Sequence, residues 1–488
     1  MRIQRESQGS LSRALAHRRF AATAAAASVV WLAFQAGVAQ AADGSWILNN
    51  AGNWSTSINW FGSPNPVPGG AGSTVWLTNN ITAARTVTID TVGSRTVGVL
   101  NIGSGNGLYA FTLAAGTGMT LTFDNSGSNA RLNQISTSTN STISAPLQLN
   151  SPLDITNESG NTLTLSGTIT NLSESVMTIN NQGTGSGGVT ISGAIRNSAE
   201  QISVTQNSST SKLTLSVGVT GSGDLILQNN STTPGAITLS GTSINNSGRF
   251  INSGSGTGSV TNSAVIGVNV TGVIQNSTNS PLIISSGTHT YSGTTTINAG
   301  ILVVGGGTIN NTTNIVIMAG ATFDVSALAS GFSVASGKRL TCGSTSGTAI
   351  VNATGRTLTL ATGALLAFQA DGTSGTVGKM VVTNILALNI NVVTVNVNGS
   401  TLAQGTYRLL ECTGTLTGVA GGDAVMTGTP LSNGCFGFIQ TTAGAAGYVE
   451  LVVMKAPVFT GGSYDGFDSR SFLNNEITKK KGTLIRVF

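Results

Sequence analysis

Apolar and polar positions alternate in short bursts along most of this chain. Leu163-Thr164-Leu165, Val189-Thr190-Ile191, Leu213-Thr214-Leu215 and Ile237-Thr238-Leu239 each place two aliphatic side chains on one face and a threonine on the other. That alternation predicts short, half-buried β-strands. Ser166-Gly167, Ser192-Gly193 and Ser240-Gly241 follow three of them. These pairs predict tight turns in which glycine supplies the positive φ that a corner often needs. With looser copies ending at Gly218 and Gly287, the glycines fall 26, 25, 23 and 46 residues apart, the last being twice 23. A fixed period in this range marks a repeat architecture.

A strand this narrow cannot bury its apolar face alone. Stacking successive coils pairs each strand with the one below and joins the apolar faces into one core. The pattern therefore predicts an all-β fold, a right-handed parallel β-solenoid. An antiparallel sandwich array is the competing arrangement, because evenly spaced strands would give a similar pattern. Asn180-Asn181, Asn229-Asn230 and Asn245-Asn246 mark further turns, where amides can hydrogen-bond in ladders between coils. At about 4.8 Å per coil, about 14 to 18 coils would make a rod of roughly 70–85 Å.

The ends differ from the middle. Trp46, Trp54, Trp60 and Trp76 lie within 31 residues, beside Pro64, Pro66 and Pro68. Large indoles suit an N-terminal cap over the open end of the core; an aromatic platform for carbohydrate is the functional alternative. From Ala321 onward longer apolar stretches appear, and Gly405–Leu410 and Gly447–Val453 read as strands of a closing β-region. The expected organisation is a signal peptide at 1–41, the Trp-rich cap and first coils at 42–110, solenoid repeats at 111–320, a C-terminal β-region at 321–454 and a charged, Gly-rich tail at 455–488.

Composition narrows the picture. Ser, Thr, Asn and Gly make up 232 of the 488 residues: 56, 68, 43 and 65. Charged residues are only 8% and mean hydropathy is +0.21, which excludes a highly charged disordered chain and a coiled coil. Arg2, Arg5, Arg13, Arg18 and Arg19 precede an apolar run from Phe20 to Phe34, which ends at Ala39-Gln40-Ala41. These are the parts of a secretory signal peptide. The general secretory route is expected, although Arg18-Arg19 leaves a twin-arginine route open. Without that segment Lys+Arg falls from 22 to 17 and Asp+Glu from 17 to 16, a net charge near +1. No phosphate-neutralising basic face remains, so nucleic acid is not an expected partner. Nor is a transmembrane segment expected in the mature chain. The three cysteines, Cys342, Cys412 and Cys435, are too few for a disulfide framework. Cys412 and Cys435 could pair, or all three could be small buried hydrophobes.

At His289–Gly300 the chain reads His-Thr-Tyr-Ser-Gly-Thr-Thr-Thr-Ile-Asn-Ala-Gly, followed by Ile301-Leu302-Val303-Val304. This stretch resembles the autotransporter-associated β-strand repeat of bacterial passenger proteins. The Trp46, Asn53-Trp54 and Asn59-Trp60 start, and the segment from Phe323 through Val453, resemble the beginning and the closing region of exported proteins that carry such repeats. The resemblance spans most of 43–453 and is strongest over Tyr291–Val304. It implies export, a β-helical passenger and surface exposure, and it brings no catalytic residue. A membrane β-barrel needs on the order of 250 residues, whereas only 34 follow Met454, so self-anchoring by such a barrel is not expected.

Candidate chemistry is sparse. His289 is the single histidine beyond the signal peptide and reads as a surface or turn residue, with no triad around it. Asp154/Glu158 and Asp465/Asp468 are the close carboxylate pairs, and both read as solvated. A calcium site at the second pair would need six or more oxygens. Thr-x-Thr triplets at Thr86/Thr88, Thr120/Thr122, Thr162/Thr164 and Thr357/Thr359 raise a flat, ice-binding hydroxyl array, but their irregular spacing predicts that they do not line up from coil to coil. Lys479-Lys480-Lys481 reads as a solvated end.

The expectation is an exported, passenger-like β-solenoid with a structural, adhesive or matrix role, at the cell surface, associated with the outer membrane or extracellular. No catalytic, cofactor-binding or metal residue is named, and no enzyme is expected. Surface or matrix glycans, or self-association, are the expected partners. A secreted carbohydrate-active or carbohydrate-binding β-helix, or a self-assembling envelope layer or fibre, is the alternative.

Overall fold

A computed structural model describes residues 41–62, 67–172, 176–197, 200–285, 287–429, 431–432 and 434–455. The short alternating strands stack as the pattern predicts, into a β-solenoid of about 14 turns with mostly parallel pairing. Each turn lays a strand on a first sheet and then one on a second. From Arg95–Val97 to Val265–Ile266 it adds one on a third, eight-stranded sheet. Inward residues of each strand are buried in a single core that runs the length of the stack.

The second sheet shows the stacking most plainly. Leu163 pairs in register with Val189, then Leu213, Ile237, Val260, Leu282 and Leu302. Successive residue numbers differ by 26, 24, 24, 23, 22 and 20. The shortest step follows the loss of the third sheet, because a coil with two strands needs fewer residues. The 46-residue gap in the glycine pattern holds the coil at Val260–Asn262, whose sequence departs from the pentad.

The threonines line up. Thr86, Thr112, Thr142, Thr164, Thr190, Thr214, Thr238 and Thr261 are consecutive register partners on the outer side of the second sheet. The expectation from irregular spacing is therefore wrong for Thr86 and Thr164. Varying turn lengths absorb the differences, while backbone pairing fixes the register. Thr122 instead lies on the third sheet, and Thr357 and Thr359 lie on longer C-terminal strands.

Asparagine and glutamine stack inside one corner. Gln134 Nε2 donates to Asn157 Oδ1 (3.1 Å), Asn181 Nδ2 to Gln206 Oε1 (2.7 Å), and Asn252 Nδ2 to Gln275 Oε1 (2.7 Å), all buried. Buried amides need such partners, and a repeating coil supplies them one step away. The pentad glycines have a different cause from the one the turn chemistry suggests. A Cβ on Gly167 would lie 2.0 Å from the Ala145 carbonyl oxygen, and one on Gly193 would lie 1.8 Å from that of Gly167. Neither has a positive φ; both are glycine because the coil below passes too close.

Both ends are closed. Trp46, Trp54 and Trp60 are buried together, with ring centroids 5.0 and 4.8 Å apart. Trp54 Nε1 donates to the Pro68 carbonyl (3.0 Å) and Trp60 Nε1 to the Trp54 carbonyl (2.7 Å). Trp60–Phe61 turns back antiparallel onto Gly44–Trp46. At the other end Tyr448–Lys455 runs antiparallel between Gly405–Cys412 and Cys435–Thr442. Cys342, Cys412 and Cys435 are all free thiols. Cys412 donates its backbone N–H to Gly447, whereas Cys435 pairs with Lys455. Gly447 immediately precedes the strand Tyr448–Lys455, at whose far end Lys455 lies, so the partners are about 26 Å apart, too far for a bond between the two cysteines.

Candidate functional site

The outer side of the first sheet carries the most varied chemistry. On Thr74–Leu77, Val75 and Leu77 are buried and Trp76 points outward, half-buried. It is thus the one tryptophan of the N-terminal four outside the cap. Trp76 is in register with Asn101, Asn101 with Asn133, and Asn133 with Thr156. Asn133 Nδ2 donates to Asn101 Oδ1 (2.9 Å). A parallel file brings Arg131 beside Asp154, and Asp154 beside Asn180.

Of these, Arg131, Asn133, Asp154 and Thr156 line a groove of about 380 Å³ together with Glu158 and Gln182, while Trp76 and Asn101 lie on the coils next to it. Asp154 is held by amides. Asn129 Nδ2 lies 3.2 Å from each of its oxygens, and Asn180 Nδ2 donates to Oδ1 at 2.8 Å. Glu158 accepts from the Thr184 hydroxyl. The ion pairs among the described residues join Arg249 to Asp224, Lys379 to Glu411, and Arg408 to Glu411 and Glu450. Arg131 is in none of them, so it lines the groove uncommitted to a carboxylate.

The groove brings Asp154 and Glu158 to one surface, where sequence reasoning read them as solvated. Four residues of extended strand separate their backbones by about 13 Å. A glycosidase pair holds its carboxyl groups roughly 5–9.5 Å apart, and Asp154 is already engaged by two asparagines. The arrangement suits hydrogen-bonded recognition more than acid–base work. Asp465 and Asp468, like Lys479–Lys481 and residues 1–40, where the signal peptide is expected, lie outside the described residues.

His289 is not a surface residue. It is 1% exposed, and its Nδ1 accepts the Ile266 backbone N–H at 3.0 Å. Val265–Ile266 is the last strand of the third sheet, so the imidazole takes a donor at the end of that ladder. Tyr291, in the same repeat copy, is also fully buried. Burial pushes its phenol well above the ordinary range, against the opposing effect of hydrogen bonding to Thr295 (2.7 Å). Both residues serve the interior.

A second hollow of about 390 Å³ lies beside Arg196, Thr220 and Ser247, and among the described residues Arg196 is the charged one that lines it. Among the described residues no group of three or more His, Cys, Asp or Glu could hold a metal ion, and no helix is long and apolar enough to cross a membrane. No protein-family model matches the chain, and no similar curated protein or solved structure was found, so the case for its function rests on the solenoid and its groove.

Proposed function

We propose that this protein is an exported, passenger-like scaffold with a structural or adhesive role at the bacterial cell surface. The observation that carries the reading is the solenoid itself: about 14 stacked turns with a continuous core and closed ends. Such a stack holds an extended outer surface rigid, because each coil is fixed by the next. That surface is rich in hydroxyl and amide groups and poor in charge, which suits contact with glycans or with like molecules rather than with nucleic acid. The N-terminal arginine-rich and apolar segment supports export.

Protease shaving of intact cells tests the proposal, followed by fractionation and detection with an antibody against residues 42–488. Envelope-associated protein that disappears on shaving is the expected result. Protein found only in the culture medium would overturn the surface role.

A further inference from the structure

The geometry points to the outer file Trp76–Asn101–Asn133–Thr156, with the adjoining Arg131–Asp154 groove, as a binding site for a neutral, linear glycan laid along the solenoid axis. This inference deepens the adhesive reading above and rests on it.

The file crosses three coil steps, about 14 Å, which is the scale of a short oligosaccharide. Trp76 stands at one end of it, half-buried and outward. The C–H groups of a hexose ring carry slight positive charge and match the negative face of an indole. Asn133 Nδ2 donates to Asn101 Oδ1 and Asn101 Nδ2 to the Val75 carbonyl at 3.4 Å, yet each amide keeps a second N–H and a second lone pair for sugar hydroxyls. Asp154 is pre-positioned by Asn129 and Asn180, so it can accept from hydroxyls without first losing side-chain freedom. Arg131 supplies free donors beside it. One cation against two carboxylates, Asp154 and Glu158, leaves no positive excess, and that balance favours a neutral chain over a polyuronate or sulfated one.

The full chain is titrated with cellohexaose, laminarihexaose, mannohexaose and hexagalacturonic acid, read by calorimetry and tryptophan fluorescence. At least one neutral oligosaccharide should bind and shift the emission, and hexagalacturonic acid should not. Trp76→Ala should weaken binding by about tenfold or more, and Asn133→Ala by several-fold. Trp76→Phe should retain part of the affinity, and Thr214→Ala, on the second sheet, should leave it unchanged. Unaltered melting of Trp76→Ala would show that the loss is local. Absence of neutral-glycan binding, binding unaffected by Trp76→Ala, or a preference for hexagalacturonic acid would each overturn the inference. A chain that binds glycan yet occurs only in the medium refutes the surface role and leaves the groove standing; a surface-bound chain that ignores all neutral oligosaccharides does the reverse.

Discussion

Gly193 illustrates how a stacked coil constrains single residues. Its backbone is ordinary, yet an added Cβ would sit 1.8 Å from the Gly167 carbonyl oxygen. Something must move, and the obstacle is backbone rather than a flexible side chain. Gly160, by contrast, would meet nothing closer than the Ser186 hydroxyl at 3.6 Å. Gly193→Ala should therefore cost about 1–3 kcal/mol, the range of overpacked sites. Gly160→Ala should be neutral or stabilising by about 0.4–1 kcal/mol through the unfolded chain. Thermal and denaturant unfolding of the two variants measures the contrast; equal effects would refute the close-approach explanation. The pentad was visible in the sequence as a motif. Its cause was not, because it lies in a neighbouring coil about two dozen residues away.

Elements behave the same way. Alternation alone located strands such as Leu163–Leu165 and Ile237–Leu239, since a period of two needs no information beyond the strand. Their partners were less legible. Thr112 and Thr142 are 30 residues apart and Thr142 and Thr164 only 22, yet both pairs are in register. Turn length is free to vary where backbone pairing is not. The end of the third sheet was equally hidden, because it depends on one side chain. His289 accepts the Ile266 N–H where a further strand would have offered a carbonyl. A buried donor left without its acceptor costs about 1–3 kcal/mol. His289→Phe, which fills the space without an acceptor, should lose that amount and speed amide exchange at Ile266, and His289→Gln should recover part of it. Unchanged protection of the Ile266 amide in His289→Phe would refute this role.

At the scale of the molecule, a solenoid must close a ladder and a core that would otherwise stay open at each end. The N-terminal tryptophans were legible as a group, but not the division of labour within them. Trp46, Trp54 and Trp60 form the plug, while Val75 and Leu77 take the inward positions around Trp76 and turn it to the surface. The Val-Trp-Leu alternation was the signal that distinguished it. The plug is tied down as well as packed: Trp54 and Trp60 both donate their indole N–H to backbone carbonyls. Asp90 secures the adjoining turn, accepting from the Ser55 hydroxyl at 2.5 Å and from its N–H at 3.2 Å. Burial opposes its ionisation, but the Ser55 contacts prevail and hold its carboxyl below the usual range. Removing the fully buried Trp54 ring opens both the core and the first strands to a neighbouring molecule. Trp54→Ala should lose about 3–5 kcal/mol at the N-terminal end and associate end to end, seen as a concentration-dependent rise in light scattering. Trp76→Ala, which leaves the plug intact, should do neither. A Trp54→Ala variant that scatters and melts like the unaltered chain would show that the N-terminal coils are closed by strand pairing alone, with the indoles incidental to it.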